Sequence, residues 1–289
     1  MKQDLTDILD GIKSLEPFPH VALRVLELAT DEETLPRDLI AVIERDAAIT
    51  AKVLKLCNSA IYGFQCQIGS LLEAGNLLGV RKLTDLVMTT CTNRYFRDYG
   101  GSTEESASAL WAQSIGTAMC ARQLVMFEPE VDPNRAYTTG LLQDIGQLVL
   151  DRYIHKHWEQ ILREVEGGAD LLDAEKSVIG MDHAEVGARL AARWQLPDFL
   201  VDTIRWHHEP ARASVDPLLT WYAHLADGIH SAIGSETEAV GEEQPTVARG
   251  RYGLSPHALD ATGLKPDDVR NVQELTRAEI DTAREALAV

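Results

Sequence analysis

Apolar residues recur at helical spacing along almost the whole chain. Near the N-terminus, Leu5, Ile8, Leu9 and Ile12 follow the i, i+3, i+4, i+7 pattern that places side chains on one face of an α-helix. The alternation of apolar and polar residues that is typical of β-strands is hard to find. Gly, Pro and Asp interrupt the pattern at short intervals, which predicts helices of about 8–20 residues. The pattern therefore predicts an all-α protein.

The helix boundaries can be placed from capping residues and breakers. Asp182 with Glu185 three residues later has the pattern of a capping box, and Pro197 suits the first position of a helix. The expected helices cover, approximately, residues 21–29, 37–43, 49–58, 71–78, 83–95, 107–126, 135–153, 158–166, 170–179, 182–194, 197–207, 216–233 and 264–287.

Two stretches without helical periodicity predict the domain organisation. Residues 98–105 are rich in Gly, Ser and Glu and form the best internal boundary, and residues 234–253 are predicted to be a mobile loop. We expect an N-terminal helical lobe over residues 1–100, a second helical lobe over 101–233, the loop over 234–253 and a C-terminal helical segment over 254–289.

Composition and charge exclude several classes of function. The 289 residues are 45% hydrophobic, which suffices for one large core or two modest ones, and the net charge is −18. An acidic chain without a long Lys/Arg run is poorly matched to nucleic acid. No run of 18 apolar residues predicts a membrane span, and the N-terminus does not resemble a signal peptide. Four widely spaced cysteines form no CxxC pair, so we expect reduced thiols and a cytoplasmic protein.

The most informative segment is Gly-Leu-Leu-Gln-Asp-Ile-Gly at residues 140–146. A buried helix reading Leu-Leu-His-Asp-Ile-Gly would be the metal-binding core of an HD-type phosphohydrolase. Here Gln143 stands where the histidine would be, and an amide oxygen is a much weaker ligand for Zn, Fe or Mn than an imidazole nitrogen. This substitution indicates a binding or signalling role on a hydrolase-like frame.

Further fragments share one order and spacing with a known family over roughly residues 12–230. They include Leu-Glu-Pro-Phe-Pro at 15–19 and Trp-Gln-Leu-Pro at 194–197, and the others lie at 43–47, 56–63, 68–79, 110–111, 140–150, 183–188 and 204–210. In these fragments the chain resembles the HDOD family of bacterial signalling proteins, which are relatives of the HD hydrolases. The resemblance implies a two-lobed protein in which an N-terminal helical bundle packs on a degenerate HD-like bundle, which is the lobe expected over 101–233. It also implies a signalling or regulatory role, because members of the family usually lack demonstrated catalysis.

The resemblance also implies a set of pocket residues. HD hydrolases bind metal through a histidine, a His-Asp pair and a later aspartate, and versions with two metals add histidines between them. Carried onto this chain, these positions are occupied by Gln113, Gln143, Asp144, His183, His207, His208 and Asp227. Two positions of the minimal ligand set are therefore glutamine, and we expect a vestigial pocket with no metal, no other cofactor and no catalytic residue.

Helical spacing agrees with part of this set. Asp144 shares a predicted face with apolar residues, and His208 shares one with Leu200 and Ile204, so both should point inward. Asp227 lies well off the apolar stripe of its own helix, which agrees less well. Simpler roles also fit: Asp144 could bond a neighbouring histidine or backbone group, and His183 could be only the first residue of a helix.

The remaining pocket residues also allow simpler roles. His207 and His208 could serve the dipole at a helix C-terminus. Gln113 and Gln143 could bond each other across the pocket and fill the volume of a metal.

Three functions remain open on this basis. The leading hypothesis is a non-enzymatic signalling module that acts through a protein partner and is gated by a ligand in the vestigial pocket. The ligand would be a small molecule or a nucleotide, although the sequence holds no Gly-rich phosphate loop and no Arg cluster. The alternative is a divergent metal-dependent phosphohydrolase acting on nucleotides or cyclic dinucleotides with a shifted metal. The third is a structural adaptor.

Overall fold

Helices joined by short turns make up most of the part of the chain that the structure describes. The computed structural model describes residues 2–31, 33–59, 67–99, 103–154, 157–238 and 256–287, and these ranges contain no β-strand. The predicted all-α class is therefore confirmed. Of the helices in these ranges, none combines the length and apolar character needed to cross a bilayer.

Most of the helices have the predicted length of about 8–20 residues. They are α1 Lys2–Ser14, α2 His20–Ala29, α3 Pro36–Ile43, α4 Ala47–Cys57, α5 Leu71–Tyr99, α6 Glu104–Leu124, α7 Pro133–Leu142, α8 Gly146–Ile154, α9 Trp158–Glu166, α10 Leu171–Ile179, α11 His183–Arg193, α12 Asp198–Trp206, α13 Pro217–Glu238, α14 Pro256–Thr262 and α15 Pro266–Leu287. The exceptions are α5, which spans 29 residues, α6, which spans 21, α13 and α15, which span 22 each, and α14, which spans seven.

The chain divides into two compact units. The first, called the site unit here, comprises Met1–Glu16 and Phe96–Arg277, and the second, called the smaller unit, comprises Pro17–Tyr95 and Ala278–Val289. The division at Tyr95 lies close to the predicted boundary at residues 98–105, of which 100–102 are outside the described residues.

Residues 1–16 belong to the site unit, in which α1 packs against α8 and α11 and is also held by hydrogen bonds from the end of α11. The guanidinium Nη2 of Arg193 donates to the carbonyl of Lys13 at 2.6 Å, and the indole Nε1 of Trp194 donates to the carbonyl of Glu16 at 3.0 Å. Both donors lie far along the chain from residues 1–16. The sequence pattern predicts that these residues belong to the N-terminal lobe, whereas the structure groups them with the site unit.

The smaller unit contains a helix break that the sequence pattern predicted. In α5, Gly79 has φ +75° and ψ 176°, a conformation that glycine adopts without strain, and it separates the two segments expected over 71–78 and 83–95. In the same unit the rings of Phe18 and Tyr95 stack with centroids 5.6 Å apart, and the Tyr95 hydroxyl donates to the Pro17 carbonyl.

Two expected segments differ from the structure in the site unit. The single helix expected over 135–153 is interrupted by a turn at residues 143–145, so that α7 and α8 are separate helices. Helix α13 continues to Glu238, into the stretch predicted as a mobile loop, and residues 239–253 of that stretch lie outside the described residues. The interruption at 143–145 matters for function, because the turn carries Gln143 and Asp144.

Candidate functional site

The turn between α7 and α8 positions Asp144. Helix α7 ends at Leu142, and the Gln147 amide then bonds the Asp144 carbonyl at 2.9 Å as α8 begins. Gly146 lies directly against the start of α11, where a Cβ atom would stand 1.9 Å from the carbonyl oxygen of His183. Only glycine permits this approach, which brings the turn beside His183 and leaves Asp144 buried.

The start of α11 positions His183. Asp182 caps the helix as predicted, since its carboxylate accepts a hydrogen bond from the Glu185 amide at 2.7 Å. The His183 ring is fully buried, and its Nδ1 contacts the Glu175 carboxylate of α10 at 2.9 Å. A carboxylate can only accept, so Nδ1 carries the proton and Nε2 is the atom that faces the interior.

The end of α12 positions His207 and His208. The ring Nδ1 of His207 lies 2.8 Å from the carbonyl oxygen of Ile204, which can only accept, so this nitrogen is also protonated. The other ring nitrogen of His207, the unprotonated Nε2, has no hydrogen-bond partner among the described residues. It lies 3.6 Å from Asp144 Oδ1. His208 places its Nε2 2.9 Å from His183 Nε2.

These four residues, Asp144, His183, His207 and His208, form one cluster. One potential ligand atom from each lies within 4.8 Å of all the others. The His183 Nε2 atom lies 3.5 Å from Asp144 Oδ1, almost the same separation as that between His207 and Asp144. Two ligands at about 2.1 Å from a tetrahedral ion stand about 3.4 Å apart, so these separations suit a transition-metal ion.

The hydrogen-bonding chemistry of the cluster also fits a metal ion. An unprotonated imidazole nitrogen and a carboxylate oxygen both present lone pairs. At the distance between His207 and Asp144 they repel each other unless a proton or a cation lies between them. Three imidazoles and one carboxylate form a borderline donor set that Zn, Fe or Mn prefers. Asp144, His183, His207 and His208 would hold such an ion, whereas the sequence had led us to expect none.

The pKa values of His183 and His208 are shifted in opposite directions. Burial opposes the charged form of His183, but the nearby carboxylates, Glu175 first and then Asp144 and Asp182, together outweigh burial and raise the pKa of His183 to about 9. Burial, and then the charge of His207, hold the pKa of His208 well below its ordinary value. Without an ion, protonated His183 therefore donates from Nε2 to neutral His208, and a metal would take the place of that proton.

Two of the three remaining residues of the predicted pocket, Gln113 and Asp227, are paired with each other. The Gln113 amide of α6 donates to Asp227 Oδ1 of α13 at 3.0 Å, and both residues are buried. The burial of Asp227 was unexpected from its position off the apolar stripe. It follows from the packing of α13 against α6, which covers the polar side of α13 as well.

Gln143 is the predicted pocket residue with the least ordinary surroundings. Its side chain is fully buried, and neither its amide nitrogen nor its amide oxygen has a hydrogen-bond partner among the described residues. Buried amides are almost always hydrogen-bonded. The structure therefore brings Asp144 and the three histidines together and pairs Gln113 with Asp227, while Gln143 joins neither group through a hydrogen bond.

A small pocket reaches the cluster from the surface. Its volume is about 200 Å³, and His208 forms part of its lining. The lining also holds three cations, each of which pairs with a carboxylate at 2.8 or 2.9 Å: Lys176 with Asp182, Arg205 with Glu185 and Arg212 with Glu209. The pocket is therefore polar but close to neutral in charge, and it gives a small molecule access to His208.

Two buried residues of the site were missed by the sequence analysis. Glu175 supports His183, and the ring Nδ1 of His224 lies 2.7 Å from the carbonyl oxygen of His207. The helical pattern held a signal for Glu175, because Leu172 and Ile179 stand three residues before it and four residues after it on the same apolar face. For His224 the sequence offered no comparable signal.

A protein-family comparison matches most of the chain. The family described as HDOD domain matches residues 15–210. A protein of Treponema pallidum (strain Nichols), named only as uncharacterized, is 29% identical over 225 residues. That match covers 75% of this chain but 42% of the relative, so the chain spans less than half of the relative's length.

Solved structures show the same fold. An HDOD domain protein of unknown function from Geobacter sulfurreducens is similar with a TM-score of 0.70 at 24% identity, and the match covers 99% of this chain and 97% of that one. A Marinobacter aquaeolei VT8 protein named "Putative signal transduction protein" gives a TM-score of 0.75 at 21% identity, covering 99% of this chain and 65% of that one.

Proposed function

Since the chain belongs to the HDOD family, we propose that it is a non-enzymatic signalling module that binds one transition-metal ion and acts through protein contacts. The observation that carries this proposal is the buried hydrogen bond from Gln113 to Asp227 at 3.0 Å. Two positions that would hold a metal in an HD hydrolase are here joined by a neutral amide, which occupies the carboxylate. The ion would bind to the other group, Asp144 with the three histidines.

The number of ligands in that group favours binding over hydrolysis. Structural zinc sites are closed by four protein ligands, whereas catalytic sites use three and keep a position for water. Asp144, His183, His207 and His208 supply four ligands. Hydrolysis needs a metal-bound water of low pKa as nucleophile, and around a tetrahedral Zn²⁺ a site closed by four side chains leaves no position for that water.

The pocket beside His208 supports gating by a small ligand. Its volume of about 200 Å³ is below the range of roughly 300–1,000 Å³ that is common for ligand sites, so it suits a molecule smaller than a nucleotide. A ligand there would contact the most exposed member of the cluster and alter its bond to the metal. The signal would then pass to a protein partner through the helices that carry the cluster, α11 and α12.

A divergent metal-dependent phosphohydrolase is the second candidate, and one distance favours it. The Nε2 atoms of His183 and His208 are 2.9 Å apart, closer than two ligands of one tetrahedral ion would stand. If His208 left the ion, three ligands would remain, and the fourth position would open towards the pocket. That arrangement is the one that catalytic zinc sites use.

Metal content and partner capture together test the proposal. We expect purified protein, after incubation with Zn²⁺ or Mn²⁺ and removal of excess, to retain about one ion per chain. His207→Gln should lose it, because this change removes one of the four candidate ligands, whose Nε2 lies 3.6 Å from Asp144 Oδ1. The metal-loaded protein and His207→Gln are then used as baits, and a protein retained by only one of them supports metal-linked regulation. No retained metal in the wild type would contradict the proposed site.

A further inference from the structure

Glu175 is a buried carboxylate that lies outside the predicted set of pocket residues. Its side chain is 2% exposed and lies on the apolar face of α10. A carboxylate in such a place is costly unless donors or a cation compensate it. In this structure one oxygen, Oε2, contacts two donor atoms of a single residue, the backbone nitrogen and the ring Nδ1 of His183, each at 2.9 Å.

The two contacts hold both the backbone and the imidazole ring of His183 in place. The backbone nitrogen belongs to the first residue of α11, where no preceding helical carbonyl is available as an acceptor. The ring contact decides which nitrogen is protonated, since Nδ1 must donate to the carboxylate. As a result, Nε2 is the atom left to bind an ion, and it lies 3.5 Å from Asp144 Oδ1.

We propose that Glu175 is the positioning residue that holds the His183 ring with Nε2 towards Asp144 and thereby sets how tightly His183 binds a metal. The part that concerns metal rests on the proposed function. A carboxylate behind a ligating histidine orients the ring and strengthens the nitrogen on its other side as a donor. Loss of such a partner typically lowers metal affinity about 10- to 100-fold.

Glu175→Gln tests the role with little change in shape. Its matched control is Glu166→Gln, which makes the same replacement at an exposed position on α9. We expect Glu175→Gln to keep its circular-dichroism spectrum but to bind Zn²⁺ about 10- to 100-fold more weakly. The absorption of bound Co²⁺ should also change, because that spectrum reports the geometry of the ligands. Glu166→Gln should match the wild type in both measurements.

A double-mutant cycle separates positioning from a general effect on the fold. In a His183→Gln background, Glu175→Gln should cause no further loss of Zn²⁺ affinity, because the residue through which Glu175 acts is already gone. Losses that add in full would overturn the inference. If Glu175→Gln fails to fold, Glu175→Asp keeps the charge, withdraws the oxygen by one methylene and gives the same readouts.

The metal-free protein gives a readout that does not depend on the proposed function. Nuclear magnetic resonance should detect the proton on His183 Nδ1, assigned by its loss in His183→Gln, as a slowly exchanging signal. Glu175→Gln should weaken or abolish that signal, and Glu166→Gln should leave it unchanged. An unchanged signal in Glu175→Gln overturns the inference whatever the metal result. If Glu175→Gln alters the signal but the wild type binds no ion, the orienting role is supported and the metal role alone is overturned.

Discussion

Gly146→Ala tests the packing that brings the α7–α8 turn against α11. A Cβ atom at position 146 would stand 1.9 Å from the His183 carbonyl oxygen and 2.6 Å from the Gly187 backbone nitrogen. Both are backbone atoms, so no side-chain rotation can relieve the overlap, and the two helices must separate. Separation moves Asp144 and His183 apart, which should weaken stability and metal binding together.

The size of the effect follows from two opposing contributions. Overpacking a buried site costs about 1–3 kcal/mol, and contact with rigid backbone places this change at the upper end. The higher helix propensity of alanine returns at most about 1 kcal/mol, because Gly146 is the first residue of α8 and not an interior one. We therefore expect the free energy of unfolding to fall by about 2 kcal/mol. A shift of about 1.4 kcal/mol in binding would lower Zn²⁺ affinity tenfold.

Urea unfolding followed by circular dichroism and Zn²⁺ competition titration measure the two effects. The control is Gly69→Ala in the smaller unit, where a Cβ would meet only Glu73 Oε2 at an ordinary 3.9 Å. That variant should match the wild type. A Gly146→Ala protein with wild-type stability and Zn²⁺ affinity would refute the close packing of α8 on α11 and the argument built on it.

Substitutions at three further places test other contacts of the site unit. Asp182→Ala removes the cap of α11 and the ion pair with Lys176, and urea unfolding should show a loss of about 1–2 kcal/mol, while Asp182→Asn keeps the cap and should lose less. Gln113→Ala removes a donor from the buried Asp227 carboxylate, and the same assay should show a loss of about 1–3 kcal/mol. The double variant Gln113→His, Gln143→His adds two imidazoles beside existing carboxylates, so elemental analysis should find more retained Zn²⁺ or Mn²⁺ than in the wild type. Unchanged metal content in a folded double variant would argue against the assignment of these two positions.

The sequence predicted features whose cause is local. Asp182 was placed as a helix cap from the Asp-x-x-Glu spacing alone, because a capping side chain acts within one turn of the chain. The break in α5 was also predicted, because the helical segments expected over 71–78 and 83–95 stop on either side of it, and the structure places Gly79 there with a positive φ. The inward orientation expected for Asp144 also followed from the apolar residues around it.

Features that depend on contacts between distant segments could not be predicted. The apolar spacing continues across residues 143–145 and predicts one continuous helix. The turn there could not be predicted, because it accompanies the close approach of α11 to Gly146. Asp227 is buried because α6 covers it, and nothing on its own helix indicates this. Helical spacing also could not show which imidazoles would meet, and the convergence of His183 with His207 depends on the fold.

Turnover of a phosphodiester by the metal-loaded protein bears most directly on the claim that the site binds metal without hydrolysis. The protein is loaded with Zn²⁺ or Mn²⁺, its metal content is measured, and hydrolysis of nucleotides and cyclic dinucleotides is followed beside Asp144→Ala and a metal-free control. We predict about one ion per chain and no difference in turnover among the three. Metal-dependent turnover that Asp144→Ala abolishes would contradict the proposal and establish the phosphohydrolase instead.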